Sequence, residues 1–179
     1  MSIDNVLKLY SETIRSPYLH YGFWDDPSSV DLDKVTLQEI KDAQNRYIEH
    51  LASFIPEDVN SVLDVGCGIG GNAKYLQNHG YEIETLSPDD FQRSVIAKKF
   101  NGSIAFHHCK FEKFKPTKAY DLILESESAC YIKINQGFEK ARETLRDDGY
   151  LLASDYFVHF RDGTKNPHLK AAHDLEKYL

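Results

Sequence analysis

The run S-V-L-D-V-G-C-G-I-G-G-N, Ser61 to Asn72, joins five residues of strand character to glycines at 66, 68, 70 and 71. Ser61–Val65 reads as a short buried strand, residues 72–79 can form a helix, and Gly80 is a natural stop. Strand, glycine turn and helix together open a nucleotide-binding α/β unit. Glycine is needed there because the backbone turns tightly and a ligand must approach without meeting a Cβ. Gly66, Gly68 and Gly71 satisfy the dinucleotide pattern G-x-G-x-x-G, which is a weak signal alone. Asp64 stands two residues before the first glycine. A dinucleotide would bring its anionic pyrophosphate to that point, so a carboxylate there suits a cationic group instead.

The 179 residues suffice for one α/β domain with a real core. A net charge of −7 with no long basic run argues against a nucleic-acid surface. No apolar run approaches the ~20 residues of a membrane span. The first ten residues lack the basic start and apolar core of a signal peptide, and cytoplasm is the expected compartment. Cys67, Cys109 and Cys130 are scattered and odd in number, with neither metal-ligand spacing nor a disulfide framework, so no metal is expected.

Residues 4–14 have helical spacing, with Val6, Leu7, Tyr10 and Ile14 roughly on one face. S-P-Y-L-H-Y-G-F-W-D-D, Ser16 to Asp26, gathers four aromatics and His20 around Gly22. Residues 1–33 therefore read either as a hydrophobic arm packed on the core or as a helical lid that shuts water from a small-molecule site. A helix is predicted over 33–54 from Leu37, Ile40, Tyr47, Ile48, Leu51 and Phe54, and Ile55-Pro56 ends it. Its Gln44, Asn45 and Arg46 read as a solvated face.

Beyond the glycine loop, residues 81–86 alternate as a second strand. Ser87-Pro88 predicts a helix start, with Ser87 as N-cap, Pro88 at N1 and Asp89 and Asp90 in the first turn. That helix runs to Phe100 and stops at Asn101-Gly102. Further strands are predicted at 103–107, 120–124 and 150–157, with a helix over 135–146 and a turn at Asp148-Gly149. Short alternating strands and helices imply βαβ units and a mainly parallel sheet over 34–158. In the polar tail, 159–179, Leu169, Ala172, Leu175 and Leu179 are compatible with a helix.

D-V-G-C-G-I-G-G resembles motif I of the class I S-adenosylmethionine-dependent methyltransferases. L-H-Y-G-F-W (19–24), T-L-S-P (85–88) and E-S-E-S-A-C-Y-I (125–132) resemble segments of a small-molecule subgroup. That subgroup includes sarcosine and phosphoethanolamine N-methyltransferases, tocopherol methyltransferases and cyclopropane fatty acid synthases. The resemblance covers residues 10–157. It implies a Rossmann-like three-layer α/β/α sandwich, strand order 3-2-1-4-5, with the cofactor across the C-terminal strand ends. The family normally closes its sheet with an antiparallel pair that has no counterpart after strand five here. The chain thus reads as truncated or minimal, and either the last helix or a second subunit, making a homodimer, would cover the open edge.

The resemblance also implies a cofactor, S-adenosyl-L-methionine, leaving as S-adenosyl-L-homocysteine. Asp64 would lie near the methionine ammonium, and the Gly66, Cys67, Gly68, Gly70 and Asn72 loop under the sulfonium half. Thr85, beside Leu86, stands where the wider class has a ribose-binding acid, and Asp90 where the subgroup places a glutamine on the adenosine. Lys110 and Phe111 match an acid-plus-apolar pair at adenine. Because Lys110 cannot accept a hydrogen bond, Glu112 is an alternative. Glu125 opens the segment after strand four, where donor and acceptor should meet, and Asp155 matches a frequent acid-aromatic pair. If the acceptor arrives protonated, Glu127, His20, Tyr10 and Tyr131, in that order, are the candidates to take its proton.

The expected reaction is methyl transfer to a small-molecule N-, O- or C-nucleophile by in-line displacement, in which the protein aligns the acceptor and excludes water. Two other readings use the same residues. One is a nicotinamide-dependent oxidoreductase, against which Asp64 and the lack of an acid ending strand two both argue. The other is a cofactor-binding module without activity.

Overall fold

A computed structural model describes residues 13–31, 33–158 and 173–174. Strand β1 (Ser61–Val65) lies in the middle of the sheet, paired in parallel with β2 (Glu82–Leu86) on one side and β4 (Tyr120–Ser126) on the other. Strands β3 (Ala105–His107) and β5 (Leu145–Ser154) complete a five-stranded parallel sheet of order β3-β2-β1-β4-β5. This is the predicted order.

Among the described residues, four helices cover the sheet: α1 (Leu37–Ala52), α2 (Gly71–Asn78), α3 (Asp90–Phe100) and α4 (Ile134–Thr144). Successive strand residues point to opposite faces, and the two cores divide accordingly. Val62, Leu122 and Leu124 meet Ile48 and Leu51 of α1, Leu76 of α2 and Phe100 of α3. Leu63, Val65, Leu86 and Ile123 meet Phe111, Phe114 and Ala141 of α4 on the other side. The result is three layers, with β1 and β4 buried on both faces, as a central parallel strand should be.

Several element ends differ from the expectation. Helix α1 begins at Leu37, because Thr36 accepts from the Glu39 N–H while the Glu39 carboxylate accepts from the Thr36 N–H, a capping box spelled T-L-Q-E. Gln44 is not on a solvated face. It is buried, and its Nε2 donates to the His20 carbonyl at 2.6 Å, since residues of the N-terminal arm lie over α1. Helix α3 is capped by Asp89, not Ser87: the Asp89 carboxylate accepts from Gln92 N–H at 2.8 Å, while the Ser87 hydroxyl accepts from Asp89 N–H. Asn101 ends the helix in the left-handed region, φ 46°. Strand β4 runs on to Ser126. Strand β5 starts early at Leu145, opposite Tyr120; residues 146–149 then bulge out before Tyr150 pairs with Leu122.

Thr13 and Ile14 are helical, and the rest of the predicted 4–14 helix lies outside the described residues. So does most of the tail. Within it, His173–Asp174 (β7) is extended, not helical, and pairs in parallel with Phe157–Val158 (β6) in a separate two-stranded sheet. No described helix is long and apolar enough to cross a membrane.

Candidate active site

A cavity of about 640 Å³ opens at the C-terminal ends of the strands, within the range of small-molecule sites. The glycine turn supplies one wall, through Gly66 and Gly68. Leu86, Pro88, Asp89 and Gln92 supply a second, Lys110, Phe111 and Glu112 a third, and Ser126, Glu127 and Ser128 a fourth. Leu19, His20 and Tyr21 of the arm close over it. Residues 19–21 thus wall the cavity, and the His20 carbonyl also binds Gln44 of α1.

The turn is shaped by its neighbours. Gly66 has φ +74°, and a Cβ there would come within 2.4 Å of Ser128 Cβ. Its N–H donates to the Leu86 carbonyl at 2.8 Å, tying the turn to the end of β2. Ser128 Oγ donates to the Val65 carbonyl at 2.5 Å, so the segment after β4 is bonded to the end of β1. At Gly71 the obstacle is the arm itself: a Cβ would meet the Pro17 carbonyl oxygen and the Tyr18 ring, both at 2.4 Å.

Asp64 precedes this turn by two residues, level with Thr85 and Leu124 in the sheet register; it is 1% exposed and, like Thr85, lines neither the cavity nor the recess beside it. Its Oδ2 has no hydrogen-bond partner among the described residues. Removal from water pushes its carboxyl up to about 7. Burial, with Asp64 next to it, also pushes the Cys67 thiol well up. A buried carboxylate with one oxygen unpartnered is costly, and a cation brought to it would relieve that cost.

The other sequence-predicted residues divide. Gly66, Gly68, Leu86, Lys110, Phe111, Glu127, His20 and Tyr131 line the cavity. Cys67 and Asn72 line a small adjoining recess of about 30 Å³ under the arm. Gly70, φ +77°, caps α2, pressed by Ile96 and Phe100. Thr85 does not reach the wall; it is fully buried and its hydroxyl donates to the Ala105 carbonyl at 2.8 Å. Asp90 points outward and pairs with Arg93 and His108 at 3.8 and 3.5 Å. Asp89 and Gln92, which were not singled out for this role, stand on the wall instead. Glu125 is buried at the end of β4, between Val65 and Ala153 in register. Tyr10 lies outside the described residues.

His20 is 6% exposed, with its ring stacked on Tyr47 at 4.1 Å. Nδ1 lies 2.7 Å from the Tyr21 carbonyl, which can only accept, so Nδ1 carries a proton. Burial lowers its pKa and favours the neutral ring. Nε2 lies 3.1 Å from Asn72 Oδ1; an Nε2 that accepts would require the Asn72 amide turned over, so that its NH₂ faces the ring. Both ring nitrogens are thus engaged by the protein.

Glu127 shares the cavity wall with two other acids, Asp89 and Glu112. Burial, against the Tyr21 hydrogen bond and with Asp155 nearby, raises the Glu127 carboxyl to about 7. Its backbone is held at φ +53°, its N–H donates to the Ser154 carbonyl at 2.7 Å, and its Oε1 accepts from Tyr21 N–H at 3.0 Å. Tyr131 is 79% exposed on the rim. Asp155 accepts from Cys130 N–H at 2.9 Å, fixing the turn that carries Tyr131. Tyr47 had read only as part of the apolar face of α1; its hydroxyl in fact reaches Ser126 and Ser154.

Residues 39–178 match the family model of the methyltransferase domain. The chain is 36% identical over 140 residues to a probable chloroplastic tocopherol O-methyltransferase of Oryza sativa subsp. japonica, covering 71% of this chain but only 37% of that protein. Among solved structures, the [4+2]-cyclase SpnF superposes with TM-score 0.77 at 17% identity, covering 97% of this chain and 66% of that one. Geranyl diphosphate C-methyltransferase from Streptomyces coelicolor A3(2), solved with Mg²⁺, geranyl-S-thiolodiphosphate and S-adenosyl-L-homocysteine, superposes with TM-score 0.76 at 17% identity, covering 89% and 66%.

Proposed function

The chain belongs to the methyltransferase domain family, and from that premise we propose that it binds S-adenosyl-L-methionine and transfers its methyl group to a small-molecule nucleophile. The observation that carries this reading is Asp64, a buried carboxyl with an unpartnered oxygen just before a glycine turn. The residues present fit the cofactor. Asp64 would be the counter-charge for its ammonium, and the glycines would admit the sulfonium half without a Cβ in the way. Asp89 and Gln92 would hold the ribose end in place of Thr85 and Asp90, and Leu86 and Phe111 would offer apolar surface to adenine. When bound, the cofactor supplies an already activated methyl group.

The rest of the work falls to the protein. Leu19, His20 and Tyr21 exclude water and narrow the space in which an acceptor can sit. Glu127 takes up the acceptor's proton; a carboxyl near 7 is matched to that task at neutral pH. His20, bonded at both nitrogens, orients the arm and leaves the proton to Glu127. The chain spans 37% of the rice protein's length, so a second reading is a cofactor-binding portion of a larger enzyme.

Thermal shift and calorimetric titration test the first reading against a nicotinamide site. S-adenosyl-L-homocysteine at about 100 times its Kd should stabilise the fold by about 2.7 kcal/mol, and NAD should leave it unmoved. Stabilisation by NAD alone would replace the reading with an oxidoreductase. Binding of S-adenosyl-L-homocysteine without turnover of any offered small-molecule acceptor would favour the binding portion.

A further inference from the structure

Tyr47 sits on α1, outside every motif, yet its side chain touches three parts of the site. The hydroxyl donates to Ser154 Oγ at 3.0 Å, at the end of β5. It also lies 3.2 Å from Ser126 Oγ, at the end of β4. The phenol has one proton and gives it to Ser154, so Ser126 must be the donor in the second bond. Ser126 lines both the cavity and the adjoining recess, and with its proton spent on Tyr47 it presents lone pairs to them. The ring of Tyr47 meanwhile stacks on His20 at 4.1 Å.

These contacts close a circuit. Ser126 precedes Glu127, whose N–H is bonded to the Ser154 carbonyl. Glu127 Oε1 accepts from Tyr21 N–H, and His20 Nδ1 donates to the Tyr21 carbonyl. His20 returns to Tyr47 through the ring stack. Glu127 is thereby gripped from the sheet side and from the arm side, and Tyr47 touches both, the strand ends through its hydroxyl and the arm through its stack on His20. We propose that Tyr47 is a positioning residue of this site, whose hydroxyl holds the β4 and β5 ends together and so sets the backbone of Glu127 and the closure of the arm over it. The proposal rests on the reading of the cavity as an active site.

The test compares the whole chain with Tyr47→Phe, which removes the hydroxyl and keeps the stack, and with Ser154→Ala, which removes the hydroxyl's acceptor from the other side. Two readouts need no acceptor: the Glu127 carboxyl titration by NMR, and amide hydrogen exchange at Tyr21. In both variants the Glu127 midpoint should fall by about one pH unit as the loosened carboxyl regains water. Tyr21 exchange should quicken about tenfold while amides of β1 stay protected. A Glu127 midpoint and a Tyr21 exchange rate that stay at wild-type values in either folded variant would overturn the proposal. The wild-type chain is titrated with S-adenosyl-L-homocysteine in parallel. Failure of that titration would count against the functional reading alone, because the NMR readouts are made on the protein without ligand.

Discussion

The backbone N–H of Tyr21 donates to Oε1 of Glu127 across 3.0 Å, joining the arm to the segment after β4 over 106 positions of sequence. The bond favours the charged carboxylate, yet burial outweighs it and leaves the group near 7. A folded value raised above the ordinary 4.5 means that the native state holds a proton the unfolded chain releases. The resulting stability is complete below about pH 4.5 and lost as pH rises through 7. Glu127→Gln should therefore melt higher than wild type at pH 8, by about 1–2 kcal/mol after allowance for the part of the carboxyl that sees solvent. The two should converge near pH 4.5, and a gap that does not change with pH would show an ordinary surface carboxylate. Turnover, if Glu127 takes the proton, should fall by about 100-fold or more.

Glu84 titrates in the opposite sense. Burial opposes its charge, but Lys118 Nζ at 2.8 Å, His107 Nε2 at 2.6 Å and Tyr120 OH at 2.8 Å overcome it and hold the carboxyl down at about 2. That contribution is present above about pH 4.5 and lost as pH falls toward 2. Being partly exposed, it is worth about 1 kcal/mol or less. Melting temperature followed from pH 3 to 9 should peak near pH 5, between the loss of Glu84 on the acid side and the penalties at Glu127 and Asp64 on the other. Glu84→Gln should lower the peak and move it to more acid pH, because it blunts only the acid limb.

The first strand, its glycine turn and the helix after it were readable because their causes are local: an apolar run, a need for positive φ at Gly66 and Gly70, and a stop at Gly80. Glu127 and His20 also reach the cavity they were expected to reach. What failed were contests between near-equal local choices and contacts from afar. Asp89 displaced Ser87 as helix cap, and that shift put Asp89 and Gln92 on the wall while turning Asp90 outward. Gln44 is buried only because His20, 24 positions earlier, lies across it. Tyr47 looked like an apolar core residue, and nothing in α1 announces that Ser126 and Ser154 will end beside its hydroxyl.

Gly71 offers a direct probe of the arm. Its backbone is ordinary, so alanine would carry no φ penalty and would suit the first turn of α2. The Cβ, however, would meet Pro17 O and the Tyr18 ring at 2.4 Å. Gly71→Ala should cost about 1–3 kcal/mol by overpacking and push the arm away. Trp24, the chain's single tryptophan, lies under the Arg46 guanidinium at 5.5 Å and would report the movement as a red-shifted, more quenchable emission. Gly102→Ala is the control. It meets nothing within 4 Å and has φ +82°, so it should cost stability without moving Trp24 emission. Unchanged Trp24 emission in Gly71→Ala would mean that the arm yields locally without leaving.

Asp64→Asn separates stability from binding. In the protein alone, the buried carboxyl is lifted to about 7 by loss of water, with no donor on Oδ2 to offset it. Its ionisation is therefore a penalty that grows as pH rises from about 4 through 7. A neutral amide of the same shape escapes the penalty, so the variant should melt higher than wild type at pH 8, by about 1–3 kcal/mol, and lose the advantage below pH 4. Binding should move the other way. If Asp64 is the counter-charge for the cofactor's ammonium, the variant should bind S-adenosyl-L-homocysteine about 10- to 100-fold more weakly. The same pairing predicts proton release. An arriving cation pulls the Asp64 carboxyl back toward its usual range, so at pH 6.5 wild type should release up to about 0.8 proton per ligand bound. Calorimetry in two buffers of different ionisation heat measures that number, and the variant should release none from this site. Equal affinity and equal proton release in the two proteins would leave Asp64 a buried acid with no part in holding the ligand.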